Sequence, residues 1–440
     1  MKPFFCMVKS NIKGECFMEF TELTQEEFDS FAITHPLCNF WQTSNMAKMR
    51  EAKGFSTYYV GIKDESGNVI AGSMLSVLPI FMKGTLVQAL RGPLLDYKDE
   101  KQVVFFHEHL IEFLKKRHCI YLHIDPYVPY VPHDLDGNVI KGDFDNRDVV
   151  TLLKKLGYKH EGFTKGIDLS REPRWIYTIP LRNKTPEELL KQFERKTLRS
   201  IKKAQKYNVQ VQELSRDQID VYEKVLKQTG ERRGFQGRDD EYHHRLYDAF
   251  HDAGYVKFLN ATIDLEDYKK DLKHDLQKQE EIVETSRKRL EKQESPKIQK
   301  KMDLAQEQVD QLKKKLEEAD QMIQEDGQIL DLASGIFFTY GKEVLCLMSG
   351  VYEKYMRFAA PYAMHWKMMN YCIEHDMDRY NLYGTSGIFD ESAPDYGVYL
   401  FKKGFQGEVV ELIGDFEYIV DSKKYKLYNT LRKIKHSLQK

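Results

Sequence analysis

The chain has 440 residues, of which 41% are hydrophobic and 31% charged, enough apolar content for a large core in two or three domains under a heavily charged surface. Lys and Arg total 67 against 68 Asp and Glu, which excludes a uniformly basic nucleic-acid binder but leaves room for a local basic patch. No stretch approaches 18 consecutive apolar residues, so no membrane-spanning helix is expected.

In chain order, residues 1–17 carry Lys2, Lys9 and Lys13 but no unbroken apolar core of signal-peptide length, and read as a tail or an upstream start. The fold is expected to begin at Met18-Glu19-Phe20-Thr21-Glu22-Leu23. Tyr58–Lys63 reads as a strand, Asp64–Asn68 as a turn and Val69–Leu75 as the returning strand. An amphipathic helix at Val104–Lys116 leads into a strand at Cys119–Pro126. Leu153–Tyr158 ends a helix with a glycine before a strand. Arg195–Lys206 carries six cations in twelve residues; on a helix, Lys196, Arg199, Lys203 and Lys206 share one face, which either holds phosphates or is simply solvated.

A strand at Val256–Ile263 precedes the clearest segment, about Leu265 to Ile323. Its second arm repeats Met302, Val309, Leu316 and Ile323 every seven residues, with Ile298, Ala305, Leu312 and Ala319 as the second seam. The first arm is weaker, with Leu276, Val283 and Leu290 in one seam and Leu265 and Leu272 in the other. Pro296 stops a helix between the arms. The pattern predicts an antiparallel coiled-coil hairpin on the order of 40 Å long. A strand at Ala333–Tyr340 follows, so the hairpin is inserted into a β-turn. Tyr362–Glu374 then leads into Arg379–Gly384, and Phe401–Phe405 again ends a helix with a glycine.

These elements come in matched pairs. They read as two copies of one α+β unit, each resembling the GCN5-related N-acetyltransferase fold. The expected partition is a first subdomain at 18–170, a second at 171–263 and 328–440, and a helical arm at 264–327, with part of 395–440 packing on the first. An acetyltransferase of this kind cradles a pyrophosphate with a Gly-rich turn. Arg91-Gly92-Pro93 and Arg233-Gly234-Phe235 lack the spacing, which points to another acyl donor. His107-Glu108-His109 and His243-His244 have the wrong spacing for zinc, no nucleophile signature occurs, and no metal or cofactor is expected. The six cysteines form no C-x-x-C and read as reduced thiols of a cytosolic protein.

Several longer motifs carry a family resemblance: Leu122-His123-Ile124-Asp125-Pro126-Tyr127, Thr229-Gly230-Glu231-Arg232-Arg233-Gly234-Phe235 and Pro361-Tyr362-Ala363-Met364-His365-Trp366. To these are added Asp378-Arg379-Tyr380-Asn381-Leu382-Tyr383-Gly384 and Tyr399-Leu400-Phe401-Lys402-Lys403-Gly404-Phe405. From about Met18 onward the chain resembles the Fem family of non-ribosomal peptidyltransferases, of the FemA and FemB type that carries the hairpin.

The resemblance implies an aminoacyltransferase without a cofactor. Its donor would be Gly-, Ala- or Ser-tRNA, and its acceptor lipid II or a related muropeptide at the membrane surface. It implies a cytoplasmic protein, peripheral at the inner face of the membrane, with a homologous partner or a second copy of itself as candidate assemblies. Phe401 and Lys402 match the pair at the transfer site, where Lys402 would stabilise an oxyanion or bind the tRNA end; the bland alternative is a surface lysine after a buried Phe. Arg238 and Tyr242 match acceptor contacts. Arg50 closes a W-A-x-x-K-like stretch in which Met46 stands for Trp and Arg50 for Lys, and Met348 replaces a family tyrosine. Asp125 matches a family aspartate read as positioning. Three alternatives stay open: transfer to protein N-termini, acyl-CoA-dependent N-acylation, and a coiled-coil scaffold.

Overall fold

The computed structural model describes residues 17–80, 82–234 and 240–438; the expected tail, apart from Phe17, lies outside them. The first half forms β1 (Glu19–Glu22), α1 (Gln25–Ala32), α2 (Ser44–Glu51), β2 (Ser56–Lys63), β3 (Val69–Pro79) and β4 (Thr85–Arg91). It continues through α3 (Glu100–Lys116), β5 (Cys119–Pro126), β6 (Pro129–Pro132), α4 (Arg147–Lys155), β7 (Lys159–His160) and β8 (Trp175–Pro180). Then follow α5 (Pro186–Gln192), α6 (Arg195–Lys206), β9 (Gln210–Glu213), α7 (Ile219–Arg233), α8 (Asp240–Phe250) and β10 (Val256–Asp264). The long helices α9 (Leu265–Leu290) and α10 (Pro296–Asp326) lead to β11 (Ile329–Tyr340), β12 (Glu343–Val351), α11 (Ala360–Glu374) and β13 (Arg379–Thr385). The chain closes with α12 (Tyr396–Lys403), β14 (Glu408–Leu412), β15 (Phe416–Ile419) and α13 (Ser422–Leu438).

The expected pair of α+β lobes is present as two sheets, ordered β1-β2-β3-β4-β5-β15-β7 and β6-β14-β8-β13-β12-β11-β10-β9. Strands β2, β3 and β4 pair antiparallel, and β5 lies parallel to β4. Strands β10, β11, β12 and β13 repeat that pattern. A parallel neighbour needs a crossover, which α3 supplies in one lobe and α11 in the other. Helix α3 folds because Val103, Phe106, Leu110 and Leu114 recur at helical spacing and are buried.

The lobes exchange a strand. After β7 the chain crosses and β8 inserts between β13 and β14; after β14 it returns and β15 inserts between β5 and β7. Strand β6 also joins the second sheet, against β14 alone. A boundary at residue 170 therefore does not separate the sheets, because Pro129–Pro132 belongs to the second; Phe416–Ile419 joins the first, within the stretch 395–440 expected to pack there. Proline cannot donate to a ladder, which confines β6 to an edge. A shared apolar cluster joins the lobes, with Phe40 stacked on Phe338 at 4.1 Å.

Helices α9 and α10 form the inserted hairpin. Pro296 opens α10, where its missing N–H is harmless. Val283, Ala305 and Val309 pack together along its shaft. At the base, Tyr268 meets Phe358 and Tyr207 edge-on, and Lys354 bonds Asp326. Tyr268 and Met322 lie outside the predicted seams yet are buried, because the base packs on the second lobe. The two helix-ending glycines differ. Gly157 has φ +94, whereas Gly404 is right-handed at φ −57. Gly404 serves close packing instead: a Cβ there would lie 2.2 Å from Thr197 Oγ1 on α6.

Candidate active site

A cavity of about 730 Å³ opens between the lobes, within the range that holds a small-molecule ligand. Helix α12 delivers Phe401 and Lys402 to its wall. Lys402 is only 6% exposed, whereas Phe401 is half-buried, the reverse of a surface lysine after a core phenylalanine. Lys402 Nζ donates to the carbonyls of Tyr383, at 3.3 Å, and Gly384. Strand β13 is irregular at this point, and Tyr383 has φ +64, the kind of local distortion that re-aims backbone groups. Burial lowers the Lys402 pKa to about 8, with Cys346 and Asp395 pulling it back up. An ammonium has three donors; the two carbonyls leave one for a ligand.

The first lobe contributes Arg50, at the end of α2. Its guanidinium lies over Phe55 at 3.9 Å and near Trp41 at 6.0 Å, and its Nη2 bonds Gln88. Burial lowers its pKa to about 10. Among the described residues no carboxylate lies within ion-pair distance of it. Tyr242 lines the same cavity, with Lys53 Nζ 5.5 Å from its ring centre. Met46 and Met348, which with Arg50 make the three departures from the family pattern, also line it. Arg238 lies outside the described residues.

The remaining expected site residues stand elsewhere. Asp125 is 4% exposed and does not line the cavity. It accepts from the Arg91 N–H and faces the Arg91 guanidinium; burial raises its pKa against the pull of Arg91. On α6, Thr197, Ile201 and Ala204 are buried, while Lys196, Arg199, Lys203 and Lys206 are exposed on the other side and line no part of the cavity. Lys206 bonds Asp275 of the hairpin at 2.8 Å.

Sequence reasoning missed several lining residues. Trp41 Nε1, Trp175 Nε1 and Tyr222 OH, together with Nε of the expected Arg50, are buried donors without a protein partner among the described residues, and all four residues line the cavity. Such orphans mark a place where a ligand or water completes the hydrogen bonding. The chain has only 3 tryptophans, and two of them are here; that scarcity was the available signal. The buried cysteines, Cys38, Cys119, Cys346 and Cys372, are free thiols.

Comparison with known proteins agrees with this geometry. The FemAB family model matches residues 23–433. The chain is 38% identical over 424 residues to "Aminoacyltransferase FemB" of Staphylococcus epidermidis, covering 96% of this chain and 100% of that one. It is 34% identical over 419 residues to "Aminoacyltransferase FemA" of Staphylococcus aureus, covering 95% and 99%. The solved structure "Crystal structure of FemX" superposes with a TM-score of 0.76 at 24% identity, over 93% of this chain and 99% of that one, a likeness of fold. No helix among the described residues is long and apolar enough to cross a membrane. The chain belongs to the FemAB family and is an aminoacyltransferase.

Proposed function

We propose that this enzyme transfers an amino acid from aminoacyl-tRNA to the peptide or growing bridge of a peptidoglycan precursor such as lipid II. The single observation that carries the reading is the shared cavity, which sets the buried Lys402 of one lobe in the same space as Arg50 of the other. Arg50, which has no carboxylate at ion-pair distance among the described residues, suits an anionic part of the acceptor. Tyr242 lines that space too, and Arg238 is proposed as a further acceptor contact.

The reaction is aminolysis of an ester. The acceptor amine attacks the aminoacyl carbonyl, a C–N bond forms, the C–O bond to the tRNA ribose breaks, and the amine's proton ends on the released ribose hydroxyl. Lys402 is mainly cationic at pH 7, because its pKa is about 8, and its ammonium stabilises the charge that builds on the carbonyl oxygen. Phe401 packs against Tyr362 and His365 and holds the apolar wall beside it. Asp125 acts as a positioning residue through Arg91. The exposed cations Lys196, Arg199 and Lys203 would meet tRNA phosphates outside the cavity, with Lys206 linking that face to the hairpin.

The test is a transfer assay with purified enzyme, separately charged Gly-, Ala- and Ser-tRNA, and lipid II species bearing different partial bridges. Transfer to one bridge length is expected. Transfer only to protein N-termini, or only from acyl-CoA, would replace this reading.

A further inference from the structure

One buried polar side chain in the cavity has no part in the chemistry above. His365 lies on α11, is 2% exposed and lines the cavity. Its Nδ1 is 2.6 Å from the hydroxyl of Tyr380, which is fully buried on β13. That hydroxyl has no other partner among the described residues. If it accepted from an Nδ1–H, its own proton would be buried without an acceptor, the costly arrangement. Tyr380 therefore donates to Nδ1, and the neutral ring carries its proton on Nε2.

Nε2 has no protein partner among the described residues. The rings of Phe337, Phe401 and Phe405 surround the imidazole at centroid distances of 6.0, 5.3 and 6.0 Å and fix its plane. Burial, reinforced by the nearby Lys402 ammonium, lowers the imidazole pKa to about 3. The ring is thus neutral at any working pH: too weak a base to take the amine's proton, but a fixed N–H donor beside a cation.

We propose that His365 is a second hydrogen-bond donor, through Nε2–H, to the carbonyl oxygen of the aminoacyl ester, acting beside Lys402. The inference rests on the transfer reading above. As the amine attacks, the carbonyl oxygen gains negative charge shared by the ammonium and the imidazole N–H. When the C–O bond to ribose breaks, that oxygen returns to a carbonyl, and His365 has exchanged no proton. Tyr380 acts as a positioning residue that selects the tautomer.

The experiment compares wild type, His365→Phe, His365→Gln and Tyr380→Phe in the transfer assay, with kcat and KM separated, alongside ¹⁵N NMR of the ring nitrogens in the intact protein. Glutamine retains a donor; phenylalanine keeps the ring volume without one. The expected result is a kcat loss of about 10²-fold in His365→Phe, with most of it recovered in His365→Gln and KM little changed. The NMR spectrum of the wild type should show the Nε2–H tautomer, and Tyr380→Phe should mix the tautomers and lower kcat. Equal losses in His365→Phe and His365→Gln, an unchanged kcat in His365→Phe, or an Nδ1–H tautomer in the wild type would each overturn the proposal. If His365→Phe fails to fold, the glutamine variant and the tautomer decide. A wild type that transfers nothing from aminoacyl-tRNA would instead remove the parent reading.

Discussion

The backbone N–H of Arg91 donates to Asp125 Oδ1 at 2.6 Å, and the same two residues meet again through the guanidinium, 3.5 Å from Asp125 Oδ2. Arg91 ends β4 in a left-handed conformation, φ +55, which a non-glycine residue keeps only where its surroundings hold it. Asp125 lies on the parallel neighbour β5. The carboxylate thus fixes a strained corner and neutralises a buried cation at once, behind the cavity wall and not in it.

Asp125→Ala should therefore act on stability. It leaves the Arg91 guanidinium buried with Glu172, 3.9 Å away, as its remaining carboxylate, and removing one partner of a buried pair costs about 3–5 kcal/mol. Asp125→Asn keeps an acceptor for the Arg91 N–H and should lose less. Denaturant melts measure both. Removing a general base lowers the rate by about 10²–10⁴-fold; a folded Asp125→Asn enzyme that slow would make Asp125 a base.

Lys402 should give opposite pH slopes for activity and stability. Its folded pKa, about 8, lies below the ordinary 10.5, so between those values the unfolded chain binds more protons and this residue's contribution to stability rises with pH. The cation that the proposed oxyanion role requires disappears over the same window. Lys402→Met should lower kcat by about 10²–10³-fold and, below pH 8, should be as stable as wild type or more so, by up to about 3 kcal/mol. The acceptor amine titrates in both proteins, so the informative quantity is the ratio of wild-type to variant kcat. That ratio should fall as pH rises through 8; a ratio that climbs would assign Lys402 the role of base.

How much of this was legible in the sequence depended on whether the signal was local. The hairpin was readable because the Met302, Val309, Leu316 and Ile323 spacing and Pro296 are local signals. The paired β–β and α–β units were readable for the same reason. The strand exchange was readable only in part: the stretch 395–440, which holds β15, was expected on the first lobe, but the crossing of β6 into the second sheet was not, since β6 is short and its neighbour comes from a distant chain segment. The burial of Lys402 was hidden as well. Its neighbours suggest an exposed helix end, and it is the carbonyls of Tyr383 and Gly384, 18 or 19 residues upstream, with Cys346 and Asp395 nearby, that make burial tolerable. His365 stood inside a recognised motif, but its tautomer depends on Tyr380, which no spacing rule connects to it.

Gly404 offers a test of how α12 is seated. Because its backbone is right-handed, substitution meets no conformational strain; the added Cβ clashes with Thr197 Oγ1 at 2.2 Å and sits more mildly against the Phe401 carbonyl oxygen at 3.3 Å. Gly404→Ala should lose about 1–3 kcal/mol through overpacking and, by displacing α12, should also lower kcat. Thr197→Ala removes the clashing hydroxyl, while the Thr197 Cβ position, 3.6 Å away, stays in ordinary contact. The double variant should recover both losses, a coupling of about 0.5–3 kcal/mol between touching residues. Strict additivity in thermal or denaturant unfolding would mean that α6 and α12 do not meet there.

The hairpin's role is separable from its anchor. Its base is built into the second lobe through Leu265, Tyr268 and Leu272, so excising the whole arm would expose Phe358 and confuse a fold defect with a binding defect. Trimming at the cross-arm pair Lys313–Glu280, 3.3 Å apart, and joining the cut ends with a short glycine-rich turn preserves that base. If the outer arm docks tRNA, the trimmed enzyme should bind full-length aminoacyl-tRNA about tenfold or more weakly, a loss of about 1.4 kcal/mol. Its kcat with a minimal aminoacyl-ester donor, which reaches only the cavity, should stay at the wild-type value. Unchanged tRNA affinity would reject the docking role and leave the arm as a surface for a protein partner.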